Sequence, residues 1–80
     1  MYLKIHLINN TLFDGEADRL TLKTPLGETT ILDSHEPMIT IVEYGDVCIH
    51  TKEGEKIFSF PGGVLEVKSG SEVVLIAKHL

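Results

Sequence analysis

Cys48 and His50 stand two residues apart in a run that alternates apolar and polar side chains, so on a strand they share a face. Thiolate and imidazole are both zinc ligands. Zinc sites usually set such a couple against a second close-spaced pair, and none is visible here, so the two read as a structural pair. Asp14, Glu16 and Asp18 alternate like the opening of a calcium loop. Arg19 and Pro25 occupy the places where that loop needs its turn glycine and its bidentate glutamate, which leaves a turn followed by a charged strand end. Asp33, Ser34 and His35 supply the residue types of a hydrolytic triad, but as consecutive residues in a loop their side chains diverge. Gly62-Gly63 lacks the lysine and following helix of a phosphate cradle. No catalytic constellation emerges.

The elements that must position these residues are strands. Leu3, Ile5 and Leu7 alternate with Lys4 and His6, which is the period of a half-buried strand. Asn9-Asn10 turns the chain into Thr11-Leu12-Phe13, and Asp14-Gly15 ends that strand. A third strand runs from Ala17 to Lys23, and Thr24-Pro25-Leu26-Gly27 reads as a β-turn. Thr29 to Leu32 is strand-like, Asp33 to Pro37 is a polar loop, and Met38 to Val42 is apolar on both faces apart from Thr40. Val47 to His50 alternates, Lys52-Glu53-Gly54-Glu55 is a hairpin turn, and Ile57 to Phe60 returns. Pro61-Gly62-Gly63 forces a bend before Val64 to Val67, and Lys68-Ser69-Gly70-Ser71 leads into Val73 to Ala77.

Roughly eight or nine short strands with regular turn signals predict an all-β, two-sheet sandwich of mostly antiparallel strands, one domain over residues 1–80. Met38–Val42, Ile57–Phe60 and Val73–Ala77 are apolar on both faces, as strands covered from two sides would be. Two readings stay open. Either a partner covers part of the outside, or these are central strands with scattered surface aliphatics.

Twelve acidic residues against seven basic ones give a net charge of −5, which repels phosphate backbones and anionic lipid headgroups. With no tryptophan as well, nucleic-acid binding is not expected. One cysteine permits no intrachain disulfide. The longest apolar stretches fall far short of the roughly 20 residues that span a bilayer, and no leader pattern opens the sequence. A soluble protein whose membrane association comes only through partners is the expectation. A short chain also buries a thin core and gains from a partner.

Phe13-Asp14-Gly15-Glu16 followed by Leu20-Thr21-Leu22 resembles the opening strands of the ATP synthase epsilon family. Gly27-Glu28, Ile31-Leu32, His35 and Pro37-Met38 resemble that family's G-E-x-G-I-L-P-G-H-A-P-L segment. Gly45-x-Val47-x-Ile49, the pair Gly62-Gly63, Leu65-Glu66-Val67 and Val73 to Ala77 follow in order and with matching spacing, so the resemblance spans the chain. Asp33-Ser34 stand where the family has Pro-Gly, Glu36 where it has alanine, Thr29-Thr30 where it has an apolar residue and glycine, and Pro61 where it has a small residue. Family members usually continue into a helical hairpin, and this sequence reaches Leu80 just after its last strand.

The resemblance implies the N-terminal β-sandwich domain of a central-stalk subunit. It would be non-catalytic and without a cofactor, and would lie on the cytoplasmic face of the membrane through the synthase complex. Its implied partners are the gamma subunit and the ring of c subunits, and its implied role is to help couple ion translocation to ATP synthesis. By the same analogy Glu28 and the segment Ile31, Leu32, Asp33, Ser34, His35, Glu36, Pro37 and Met38 would face the ring, where carboxylates meet basic loops. The plain alternative for Glu28 and His35 is a pair of solvated loop residues. Ile39, Ile41, Gly62, Gly63 and Val64 would face gamma. Two other classes stay open: a free-standing sandwich binding a small ligand or metal near Cys48 and His50, and a small hydrolase using His35.

Overall fold

The alternation of period two becomes two facing sheets. The computed structural model describes residues 1–78. Among them the strands are β1 (Tyr2–His6), β2 (Thr11–Glu16), β3 (Arg19–Thr24), β4 (Gly27–Leu32), β5 (Met38–Val42), β6 (Gly45–Thr51), β7 (Gly54–Phe60), β8 (Gly63–Lys68) and β9 (Glu72–Ala77). One sheet has the order β2-β1-β9-β8-β5 and the other β4-β3-β6-β7. All pairings are antiparallel except β1 with β9. The all-β sandwich expected from the turn spacing is the fold.

Each strand sends alternate side chains inward. Leu3 and Ile5 of β1, Leu65 and Val67 of β8, and Val73 and Leu75 of β9 meet Leu20 and Leu22 of β3, Ile31 of β4, and Val47 and Ile49 of β6. Phe60, with 0% of its surface exposed, is the largest side chain in this core. The hairpin at 24–27 follows from its residues. Pro25 and Leu26 form the loop, Gly27 takes a φ of 106°, and the Thr24 hydroxyl oxygen accepts the Leu26 N–H at 3.2 Å.

Three details differ from the sequence reading. β2 does not end at Asp14-Gly15, because Gly15 keeps its place opposite Leu3 and the ladder continues to Glu16. β3 starts at Arg19, since Ala17 is buried at the junction and donates its N–H to the Met1 carbonyl at 2.9 Å. The three doubly apolar strands are not all central. β9 lies inside its sheet, whereas β5 and β7 are edge strands. Their second apolar faces are exposed: Ile39 at 72%, Ile41 at 62% and Ile57 at 60%.

Candidate functional site

β4 is an edge strand, and its outward side chains are Glu28, Thr30 and Leu32. Ile31, assigned to the ring-facing set from the sequence, points the other way and is fully buried against the register partner Leu20. It belongs to the core. Glu28 and the 33–37 loop lie at opposite ends of β4. Leu32 lies four residue steps along the strand from Glu28, or about 13 Å at the usual rise per residue. The two form one surface only along the strand's length.

The loop after Leu32 is tied down locally. Ser34 adopts a φ of 64° and the His35 N–H donates to the Leu32 carbonyl at 3.2 Å, which closes the turn. His35 Nδ1 lies 2.8 Å from the Glu36 carbonyl, which can only accept, so that nitrogen carries a proton. Asp33 Oδ1 lies 2.7 Å from the Met1 α-ammonium, which Glu16 approaches at 3.5 Å. The hydrogen bond to Asp33 raises the ammonium pKa above its ordinary 8.0, against the opposing effect of burial. Asp33 is therefore a partnered carboxylate, while Glu36 and Pro37 are exposed and Met38 packs partly on the core. Asp33 and His35 hold different partners, so Asp33-Ser34-His35 forms no proton relay.

The outer face of the five-stranded sheet carries an apolar patch. Ile41 of β5 is the register partner of Val64 of β8, and Val64 that of Ile76 of β9, so three aliphatics lie side by side. Ile39 stands one pleat along β5, and Tyr44 follows the strand. Val64 is 46% exposed, Ile76 53% and Tyr44 73%. Ile76 and Tyr44 were missing from the sequence-derived set. The double apolarity of Val73–Ala77 held the signal for Ile76, and nothing pointed to Tyr44. Gly62 and Gly63, by contrast, are buried and present no side chain. A Cβ on Gly63 would stand 1.9 Å from the Ile76 carbonyl oxygen, and one on Gly62 3.0 Å from that of Val42. Both serve close backbone packing.

On the outer face of the other sheet, Cys48 and His50 share a side of β6 as expected, and Glu55 of β7 lies directly opposite His50. His50 Nε2 and Glu55 Oε2 are 2.6 Å apart, and the Arg19 guanidinium lies 3.1 Å from the same nitrogen. Burial, then the neighbouring Glu55, pushes the Cys48 thiol pKa up. Asp14, Glu16 and Asp18 do not converge. Asp14 accepts from the Tyr2 hydroxyl, Glu16 faces the α-ammonium, and Asp18 donates its backbone N–H to the His50 carbonyl at 2.7 Å. Among the described residues no helix is long and apolar enough to cross a membrane.

Residues 1–79 match the family model described as the ATP synthase delta/epsilon chain, β-sandwich domain. The chain is similar to the ATP synthase epsilon chain of Bordetella parapertussis, with 34% identity over 76 residues, covering 94% of this chain and 54% of that protein. Its fold is that of a chain in the Euglena gracilis mitochondrial ATP synthase, solved as an OSCP/F1/c-ring assembly. That match has a TM-score of 0.89 at 19% identity, covering 96% of this chain and 49% of the other. A chain of the Tetrahymena thermophila mitochondrial ATP synthase central stalk and c-ring gives a TM-score of 0.83 at 14% identity, covering 98% and 63%. The chain thus spans about half the length of the curated relative it matches. With the family model covering nearly every residue, this chain belongs to the ATP synthase delta/epsilon family, as its β-sandwich domain.

Proposed function

We propose that this sandwich is a non-catalytic rotor element of the ATP synthase central stalk, gripping the gamma subunit with one face and the c-ring with one edge. The observation that carries the reading is the contiguous patch of Ile39, Ile41, Val64 and Ile76 on the outside of the five-stranded sheet. Exposed aliphatics in register mark an interaction surface, and β5 at its edge would otherwise invite aggregation. Fully burying one such side chain contributes about 1.5–3 kcal/mol, so gamma would be held mainly through this face.

The ring-facing surface is the length of β4, from Glu28 to Leu32, continued by Ser34, His35, Glu36 and Pro37. Glu28 and Glu36 present exposed carboxylates there, suited to basic loops. A stiff sandwich held at both places makes gamma and the ring turn as one body, so ion-driven rotation reaches the catalytic subunits. Association with the membrane then comes through the complex alone, on its cytoplasmic side. Co-expression with gamma and the c-ring tests this directly. Glu28→Lys combined with His35→Ala is expected to retain gamma and lose ring assembly. Normal assembly and coupling by that double variant would refute the ring assignment.

A further inference from the structure

Cys48, His50 and Glu55 lie on the sheet opposite the apolar patch, and the proposed rotor contacts leave them unused. Their candidate ligating atoms, a thiol sulfur, an imidazole nitrogen and a carboxylate oxygen, all lie within 4.8 Å of one another. A four-coordinate zinc ion with bonds of about 2.0–2.3 Å sets its ligand atoms roughly 3.3–3.6 Å apart, so it would widen the 2.6 Å contact between His50 Nε2 and Glu55 Oε2 and draw the Cys48 sulfur closer. The backbone already holds the three side chains on one outer face of the sheet. Cys48 and His50 project from one side of β6, and the β6–β7 ladder fixes Glu55 opposite His50.

We propose that Cys48, His50 and Glu55 form a site for a zinc-type divalent ion, with water completing the tetrahedron. The donor set selects the metal. A thiolate with an imidazole favours zinc and its analogue cobalt, whereas magnesium and calcium prefer oxygen ligands throughout. Arg19 is the competitor. Its guanidinium lies 3.4 Å and 3.1 Å from the two ring nitrogens of His50, and its charge opposes a cation. Arg19 is exposed, so it can swing into water as the ion enters. The ion would then cross-link edge strand β7 to β6.

Cobalt titration of the full chain under reducing conditions tests the site. Binding at one ion per chain is expected, with sulfur-to-cobalt charge transfer in the near ultraviolet and the visible bands of tetrahedral cobalt. Cys48→Ser should abolish the charge-transfer band, and His50→Gln and Glu55→Gln should each weaken binding by about 10–100-fold. Arg19→Ala should tighten it, and His6→Gln should leave it unchanged. Thermal unfolding of each variant without metal separates loss of fold from loss of ligand. Absence of the charge-transfer band, or binding that survives Cys48→Ser or depends on His6, would overturn the proposal.

Discussion

Replacing Gly63 by alanine should cripple the fold, although the added group is one methyl. The new Cβ would stand 1.9 Å from the Ile76 carbonyl oxygen and 2.9 Å from Ala77 Cα. Ordinary contact begins near 3.4 Å, so β8 and β9 must separate by over 1 Å on the side where Gly63 pairs with Ala77. Gly63 also pairs with Val42 on β5, so both ladders feel the shift. Interiors packed this densely give little. Overpacking costs about 1–3 kcal/mol, and each buried backbone group left without its partner adds about 1–3 kcal/mol. A total of roughly 3–5 kcal/mol is a large part of the whole stability of a small domain. Because about 1 kcal/mol moves the midpoint of a domain this size by roughly 4–8 °C, a loss of at least about 12 °C is expected. Urea unfolding followed by circular dichroism measures the free-energy loss and a thermal scan the midpoint, with Val64→Ala next door as the control. Val64 is exposed, so its truncation should cost under about 0.5 kcal/mol in the isolated chain. A Gly63→Ala protein within about 1 kcal/mol of the parent would refute the close-packing argument.

Neighbouring residues of β4 should respond differently to truncation. Ile31→Ala should cost about 2–5 kcal/mol in urea unfolding, while Leu32→Ala should cost little in the isolated chain, since only Ile31 is buried. Alkaline pH should destabilise the domain. The Met1 ammonium, the Cys48 thiol and the Tyr2 hydroxyl all have folded pKa values raised above 8.0, 9.0 and 10.0, for Tyr2 chiefly through the bond to Asp14. A raised folded pKa gives stability that is complete below the unfolded value and lost as pH climbs through the folded one. The melting temperature should therefore fall as pH climbs past about 8, and Asp33→Ala should flatten the earliest part of that fall.

The strands and turns were legible because half-buried strands repeat every two residues and because Pro25-Leu26-Gly27, Gly54 and Gly62-Gly63 punctuate them. Ladder order was not legible. Alternation reports which side chains are buried and is silent on neighbours, so it leaves open whether β5 and β7 are central strands or strands with a partner outside, and neither their edge positions nor the parallel β1–β9 pair leaves a local trace. Ile31-Leu32 is apolar at two successive positions, so periodicity alone gives no phase, and the family resemblance implies a ring-facing segment without a direction for each side chain, which is how it takes in the buried Ile31. The sequence pattern puts Glu55 in a turn. The true turn is Lys52-Glu53, and only that register sets Glu55 opposite His50. The functional reading came from ordered family resemblance across the chain, whereas the extent of the apolar patch needed the three-dimensional register of β5, β8 and β9.

Calorimetric titration of purified gamma with the chain and two variants tests the rotor reading most directly. Ile41→Asp places a charge in the middle of the patch, and Ile57→Asp does the same on the other sheet at an equally exposed isoleucine. The Ile41 variant should bind gamma at least about 100-fold more weakly, equivalent to roughly 3 kcal/mol, while the Ile57 variant binds as the parent does. Equal binding by all three, or loss confined to Ile57→Asp, would contradict the assignment of the five-stranded sheet as the face that grips gamma.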